Sequence, residues 1–179
     1  MLQLSDVSRT ALMTFLQRAV EVESDGSALR DPMTLSCLEK LMSLATANDR
    51  TQLLAWKKRY QHGLGALMRR AVARRVMTID GLVNRYVAEN PSATVVELAS
   101  GLDTRYWRID HGRCRYIEID LPEVIELKRK LLGQQLHHEL LACSVLDLSW
   151  IDRVTSNGNS PFLLVAEGLF MYLPPDDCQ

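Results

Sequence analysis

Long apolar runs are missing from this 179-residue chain. No stretch approaches the roughly 20 residues that span a bilayer. The N-terminus lacks the basic-then-apolar pattern of a secretory leader, so the expectation is a cytoplasmic protein with no membrane partner. Net charge is scarce too: 21 Lys and Arg against 22 Asp and Glu leave −1. Without a global field a nucleic-acid partner is disfavoured. Lys57, Lys58 and Arg59, and the later cluster Arg69, Arg70, Arg74 and Arg75, then read as solvated helix surface. Cys37, Cys114, Cys143 and Cys178 are far apart and form no C-x-x-C pair. That disfavours a metal site or a dithiol redox centre and leaves four small, incidental hydrophobes. Internal repeats and low-complexity tracts are also absent. Glycine is missing where a dinucleotide fingerprint would begin, because Ala99 stands in its place. The lysine of a phosphate-cradling loop is missing as well.

What is present suffices for one real core, with 47% apolar residues. Residues 5 to about 90 read as helical. Ser5 or Asp6 can cap a first helix with Leu12, Phe15, Leu16, Ala19 and Val20 at spacings of three and four. Pro32 suits the first turn of a second, carrying Leu35, Leu38, Leu41, Met42 and Leu44. Asn48 or Asp49 can cap a third, around Gln52 to Gln61. Gly63 and Gly65 mark a join. Two further patterns follow, one through Leu67, Ala71, Val72 and Val76, the other through Ile79, Leu82, Val83, Tyr86 and Val87.

The pattern then changes. The organising stretch is T-V-V-E-L-A-S-G-L-D-T-R at 94–105: a β-branched strand, a turn of small residues, and a segment able to turn helical. Such a turn lets a nucleotide-like ligand approach the backbone. Further strands are expected at Arg115–Ile119, Leu140–Leu146 and Phe162–Ala166. Helices are expected from Pro122, carrying Val124, Ile125, Leu127, Leu131 and Leu132, and over Ser149–Val154. Alternating strands and helices imply an α/β fold with a parallel sheet, whose ligands bind beyond the carboxyl ends of the strands. Acidic residues stand at or beside those ends: Glu97, Asp120, Asp147 and Glu167. Each can equally cap the element that follows.

Several motifs in order resemble the leucine carboxyl methyltransferase family, including its bacterial polyketide-type O-methyltransferases. They are V-V-E-L-A-S-G-L-D-T-R at 95–105, E-I-D-L-P-E-V-I-E-L-K-R at 118–129, S-V-L-D-L at 144–148 and L-V-A-E-G-L-F-M-Y-L at 164–173. S-R-T-A-L, R-D-P at 30–32 and R-V-M-T-I-D at 75–80 also look like the family. The resemblance implies a Rossmann-like class I methyltransferase sheet, its first four strands, with an N-terminal helical cap. The cap would take residues 1–90 and the cofactor-binding half 91–179. It further implies O-methyl transfer from S-adenosylmethionine to a carboxylate or hydroxyl of a small molecule or a protein C-terminus.

The cofactor-binding residues implied are Arg75, Glu97, Ala99, Gly101, Asp120, Leu121, Asp147, Leu148 and Glu167. Arg75 would grip the methionine carboxylate with its planar fork, and Asp120 would accept both ribose hydroxyls. Asp147 and Leu148 would border the adenine, and Glu167 the sulfonium end. No catalytic base is implied. Tyr106 and Tyr172 can border the acceptor or simply pack, and His62, His111, His137 and His138 read as surface, capping or structural. Two departures stand out. The family usually has glycine at position 99, where alanine at positive φ costs roughly 1 kcal/mol. Family members also continue past L-F-M-Y-L-P-P, so the fourth strand is expected to be an open apolar edge. The rival expectation is an inactive truncated domain acting through self-association or a partner at that edge.

Overall fold

The computed structural model describes residues 6–110, 112, 114–156 and 160–178, and side chains from Arg9 onward. Ser5 and His111 lie outside the described residues, as does the middle of the 156–161 loop. Four helices come first: α1 (Asp6–Val22), α2 (Pro32–Leu44), α3 (Ala47–Arg59) and α4 (Gly63–Glu89). Strands and helices then alternate as β1 (Thr94–Leu98), β2 (Arg115–Asp120), α5 (Pro122–Leu132), β3 (Glu139–Ala142), α6 (Ser149–Thr155) and β4 (Phe162–Ala166). The chain divides into two compact units. One runs through Leu82 and also holds Leu102–Ile109; the other holds Val83–Gly101 and the chain from Asp110 onward.

In the helical unit, α1 packs on α2 and α3. Its expected stripe is the core: Leu12, Phe15, Leu16, Ala19 and Val20 are all buried. Asp31 caps α2 by accepting from Thr34 N at 2.9 Å, with Pro32 in the first turn. The third helix starts earlier than expected, because Thr46 rather than Asn48 or Asp49 is the cap and accepts from Asp49 N at 3.2 Å. The two later patterns prove to be one helix, α4. Its buried stripe is Ala73, Val76, Asp80, Val83 and Val87, an unbroken three-four spacing. Leu67 and Leu82, expected on the apolar face, are 63% and 51% exposed. A buried aspartate at position 80 hid the continuity from a purely apolar reading.

Asp80 belongs to a buried ionic cluster. Its oxygens accept from Arg105 Nε and Arg108 Nε, both at 2.7 Å. Arg108 Nη1 also donates to Asp31 Oδ2 and Asp103 Oδ1, both at 2.8 Å. Arg18 Nη2 donates to Leu102 O at 2.8 Å. Burial opposes the charge on Arg108, but Asp103, Asp80 and Asp31 outweigh it and raise its pKa. So Asp31 of R-D-P, Asp80 of R-V-M-T-I-D, and Asp103, Thr104 and Arg105 of G-L-D-T-R fix the Leu102–Ile109 segment to the helices.

In the second unit the strands form one parallel sheet in the order β3-β2-β1-β4. Val96, Ile117, Ile119 and Leu141 point to one face and pack with Trp150 and Val154 of α6. The opposite face carries Tyr116 and Glu118, and α5 packs against β2 and β3 there. The third strand is shorter than expected and ends at Ala142. The chain then turns, with Asp147 N donating to Ser144 O at 3.0 Å. At β4, Phe162 and Leu164 are 51% and 45% exposed, the apolar edge expected of the fourth strand. No helix among the described residues is long and apolar enough to cross a membrane.

Two glycines of α4 give opposite expectations. A Cβ on Gly65 would lie 2.0 Å from the Arg59 carbonyl oxygen, whereas one on Gly81 meets nothing within 4 Å. Gly81→Ala should stabilise by up to about 1 kcal/mol, raising the melting temperature by about 2–4 °C. Gly65→Ala should lower it despite the same gain in helix propensity. Arg108→Met leaves the Asp31, Asp80 and Asp103 carboxylates without their shared cation. It should cost about 3–5 kcal/mol by chemical denaturation.

Candidate functional site

The order β3-β2-β1-β4 means that the chain leaves β1 toward one side of the sheet and returns to its other side through β4. The gap beyond the carboxyl ends of β1 and β4 is therefore the topological switch point, where ligands of open parallel sheets bind. β1 ends at Leu98 and the turn begins immediately. Ala99 has φ 52°, the one non-glycine residue with positive φ among the described residues, and Gly101 has φ 57°. Strain of roughly 1 kcal/mol at an alanine persists only where its surroundings hold it.

What holds this turn is β2. Ser100 N donates to Ile119 O at 3.2 Å, and Gly101 N donates to Asp120 Oδ2 at 2.6 Å. The other oxygen, Asp120 Oδ1, accepts from Leu121 N at 2.7 Å, at the entry to α5. Each carboxylate oxygen keeps a further lone pair. Burial pushes the Asp120 carboxyl up from its ordinary value, against the pull of the Gly101 and Leu121 amides. Beside it, Ser100 Oγ is shut off from solvent and has no hydrogen-bond partner among the described residues.

Gly101, Asp120 and Leu121 thus form one hydrogen-bonded unit. Glu97 is the fourth residue of β1 rather than its terminus, and only 2% exposed. Asp147 and Leu148 lie in the connection from β3 to α6, beyond the strand rather than at its end. Asp147 Oδ1 accepts from Ser149 N at 3.2 Å, and Leu148 is 65% exposed. Glu167 is half-buried and directly follows β4, before Gly168 at φ 70°. Asp120 ends β2, the Gly101 turn follows β1 and Glu167 follows β4, three strands adjacent in the sheet. Arg75 belongs to the helical unit, on an exposed face of α4.

One buried group escaped the sequence reading. His138, expected at the surface or as a cap, has a side chain only 1% exposed, and its Nε2 lies 2.9 Å from Glu118 Oε1. Its ring meets Tyr116 edge-on at 5.6 Å. Lys128 Nζ donates to Glu118 Oε2. The signal was present: Lys128 occupies the same α5 stripe as Val124, Ile125, Leu131 and Leu132, and Glu118 sits in a strand covered on both faces. Burial works against the Glu118 charge, but Lys128 and then His138 hold its carboxyl below the ordinary 4.5. His137 is exposed, and so is His62. No group of three or more His, Cys, Asp or Glu among the described residues is arranged to hold a metal ion.

A four-stranded parallel sheet with Asp120 at the carboxyl end of β2, bonded to a small-residue turn after β1, is consistent with a Rossmann-like methyltransferase fold. The chain belongs to the leucine carboxyl methyltransferase family, whose sequence profile matches residues 11–179. It is 38% identical over 109 residues to the tetracenomycin polyketide synthesis O-methyltransferase TcmP of Streptomyces glaucescens, covering 60% of this chain and 40% of that protein. A Mycobacteroides abscessus protein named for S-adenosyl-L-methionine-dependent methyl transfer is 33% identical over 191 residues, covering 96% of this chain and 58% of its own. A similarly named Mycolicibacterium smegmatis protein is 30% identical over 183 residues, covering 96% and 60%. The chain therefore spans less than two thirds of the length of these curated relatives.

The lowered Glu118 pKa ties stability to pH. The contribution of this carboxylate is complete above about pH 4.5 and is lost as pH falls through its lower folded value. Glu118→Gln strands the buried Lys128 cation and should cost about 3–5 kcal/mol at pH 7. The gap to the wild type should narrow in melts taken stepwise from pH 7 to pH 3.

Proposed function

We propose that this chain is the S-adenosylmethionine-binding part of an O-methyltransferase that acts on a carboxylate or hydroxyl of a small molecule. The observation that carries the reading is the Asp120 carboxylate, joined to the Gly101 amide at 2.6 Å beside the switch point. The residues present fit the cofactor. Asp120 has acceptor capacity left over, as two ribose hydroxyls require. Ser100 Oγ is a buried polar atom in want of a partner. Leu148, 65% exposed, offers an apolar surface to a purine, next to the Asp147 carboxyl that suits an exocyclic amine. Glu167, directly after β4, brings negative charge that complements a sulfonium, and Glu97, one residue before the end of β1, is assigned to the same site. Arg75 is assigned to the methionine carboxylate.

When bound, S-adenosylmethionine supplies an electrophilic methyl group in an in-line displacement, so orientation and exclusion of water are what the protein contributes. The turn at Ala99–Gly101 lets backbone approach the ligand, and the methyl of Ala99 narrows that approach. A carboxylate acceptor needs no general base, and none is assigned. The name of TcmP supports a polyketide-type acceptor. We assign residues 1–90 as the helical cap and 91–179 as the cofactor-binding half, in a cytoplasmic protein.

Calorimetric titration with S-adenosylmethionine and S-adenosylhomocysteine tests the reading. Saturable heat with one site is expected. Asp120→Asn should weaken binding by at least about tenfold, the loss of one or two charge-assisted hydrogen bonds. No heat with either ligand, and no competition between them, would overturn the assignment.

A further inference from the structure

The Glu118–Lys128–His138 group lies outside the ligand contacts assigned above, yet it shares a strand face with the most important of them. Side chains alternate along β2, so Tyr116, Glu118 and Asp120 project to the same side. Glu118 is 0% and Asp120 8% exposed. Residues two apart on a strand are separated by roughly 7 Å. Two carboxylates so placed, and so dry, oppose each other's ionisation. The parallel register adds a third: Glu97 on β1 stands opposite Glu118, on the same face. The cation in this layer is Lys128, 2% exposed, whose ammonium donates to Glu118. His138, before β3, is a further titratable group there, bonded to the other Glu118 oxygen at 2.9 Å, and its ring meets the phenol-bearing Tyr116 edge-on. From β3 the register partner of Asp120 is Ala142, which carries no charge.

We propose that Lys128 is a positioning residue for cofactor binding: by neutralising Glu118 from α5, it lets Asp120 remain an anion where the ribose is received. An ionised Asp120 accepts from Gly101 N and from a diol at once. A protonated one must use a lone pair's place for a proton, and the turn loses its anchor. The direction of the electrostatics agrees, since Lys128 favours and Glu118 opposes the charged form of Asp120. A merely structural lysine would cement α5 to β2 without this reach. The inference rests on the cofactor role assigned to Asp120, and its experiment separates the two.

The test uses the full chain with 13C-carboxyl-labelled aspartate, the Asp120 signal being assigned by its loss in Asp120→Asn. Lys128→Met should move the Asp120 titration upward by at least about one pH unit, the size expected for removing a cation at this range in a protein interior. Glu118→Gln should move it downward. The double variant Glu118→Gln/Lys128→Met, which buries no charge in the pair, should return it close to the wild type and serves if Lys128→Met alone does not fold. S-adenosylhomocysteine affinity should follow: between pH 8 and pH 4 it should fall by a larger factor in Lys128→Met than in the wild type, the excess approaching about tenfold for a one-unit rise. An Asp120 titration unmoved in Lys128→Met, and equally unmoved between Glu118→Gln and the double variant, overturns the role of Lys128 whether or not ligand binds. A wild type that takes up no S-adenosylhomocysteine while the Asp120 titration moves overturns the cofactor reading alone.

Discussion

One hydrogen bond, from the Gly101 amide to the Asp120 carboxylate, sets the geometry on which the candidate site depends. It joins the end of β2 to the turn after β1, across the two central strands of the sheet. The turn is not one that its sequence adopts willingly, because Ala99 sits at φ 52°. A strained alanine stays put because the two amides that follow it are engaged, Ser100 N on Ile119 O and Gly101 N on Asp120. The same carboxylate receives the first amide of α5 at Leu121. One side chain thus fixes a turn, a strand end and a helix start. The charge that allows this is favoured by Lys128 and opposed by Glu118.

The helical unit solves a different problem with similar means. Three aspartates and three arginines are buried together around Leu102–Ile109. Each carboxylate comes from a different stretch: Asp31 caps α2, Asp80 lies in α4, and Asp103 belongs to the segment itself. Buried ion pairs are weak sources of net stability, but removing one partner is expensive. That asymmetry gives the cluster directional value: it accepts one placement of the Arg105 and Arg108 guanidiniums and penalises others.

Much of this was legible in the residues. β4 falls where the apolar run F-L-L-V-A placed it, and α5 where Pro122 and its stripe placed it. The parallel sheet follows from the alternation alone. The failures share a cause: a charged side chain in an apolar position. Asp80 broke the apparent stripe of α4 and split one helix into two. Lys128 lies within the stripe of α5, where an apolar pattern does not register it, and its partner His138 is buried rather than a surface or capping residue. Periodicity counts apolar residues, and it has no entry for a charge that is buried because another charge waits for it. The third strand, expected to run on to Leu146, stops at Ala142 for a different reason. L-L-A-C-S-V-L looks like continuous strand, but Ser144 turns the chain through its own hydroxyl and carbonyl.

The two compact units are interleaved along the chain, with crossings after Leu82, after Gly101 and after Ile109. The eight residues from Leu102 to Ile109 are an excursion: the polypeptide leaves the sheet straight after the turn, surrenders two arginines to the helices, and comes back to begin β2. A cut anywhere between residues 83 and 101 therefore separates Arg105 and Arg108 from Asp31 and Asp80. Neither piece would be a finished module, however natural the boundary looks in a linear map. Modular exchange in such a chain has to carry the excursion along with its acidic hosts.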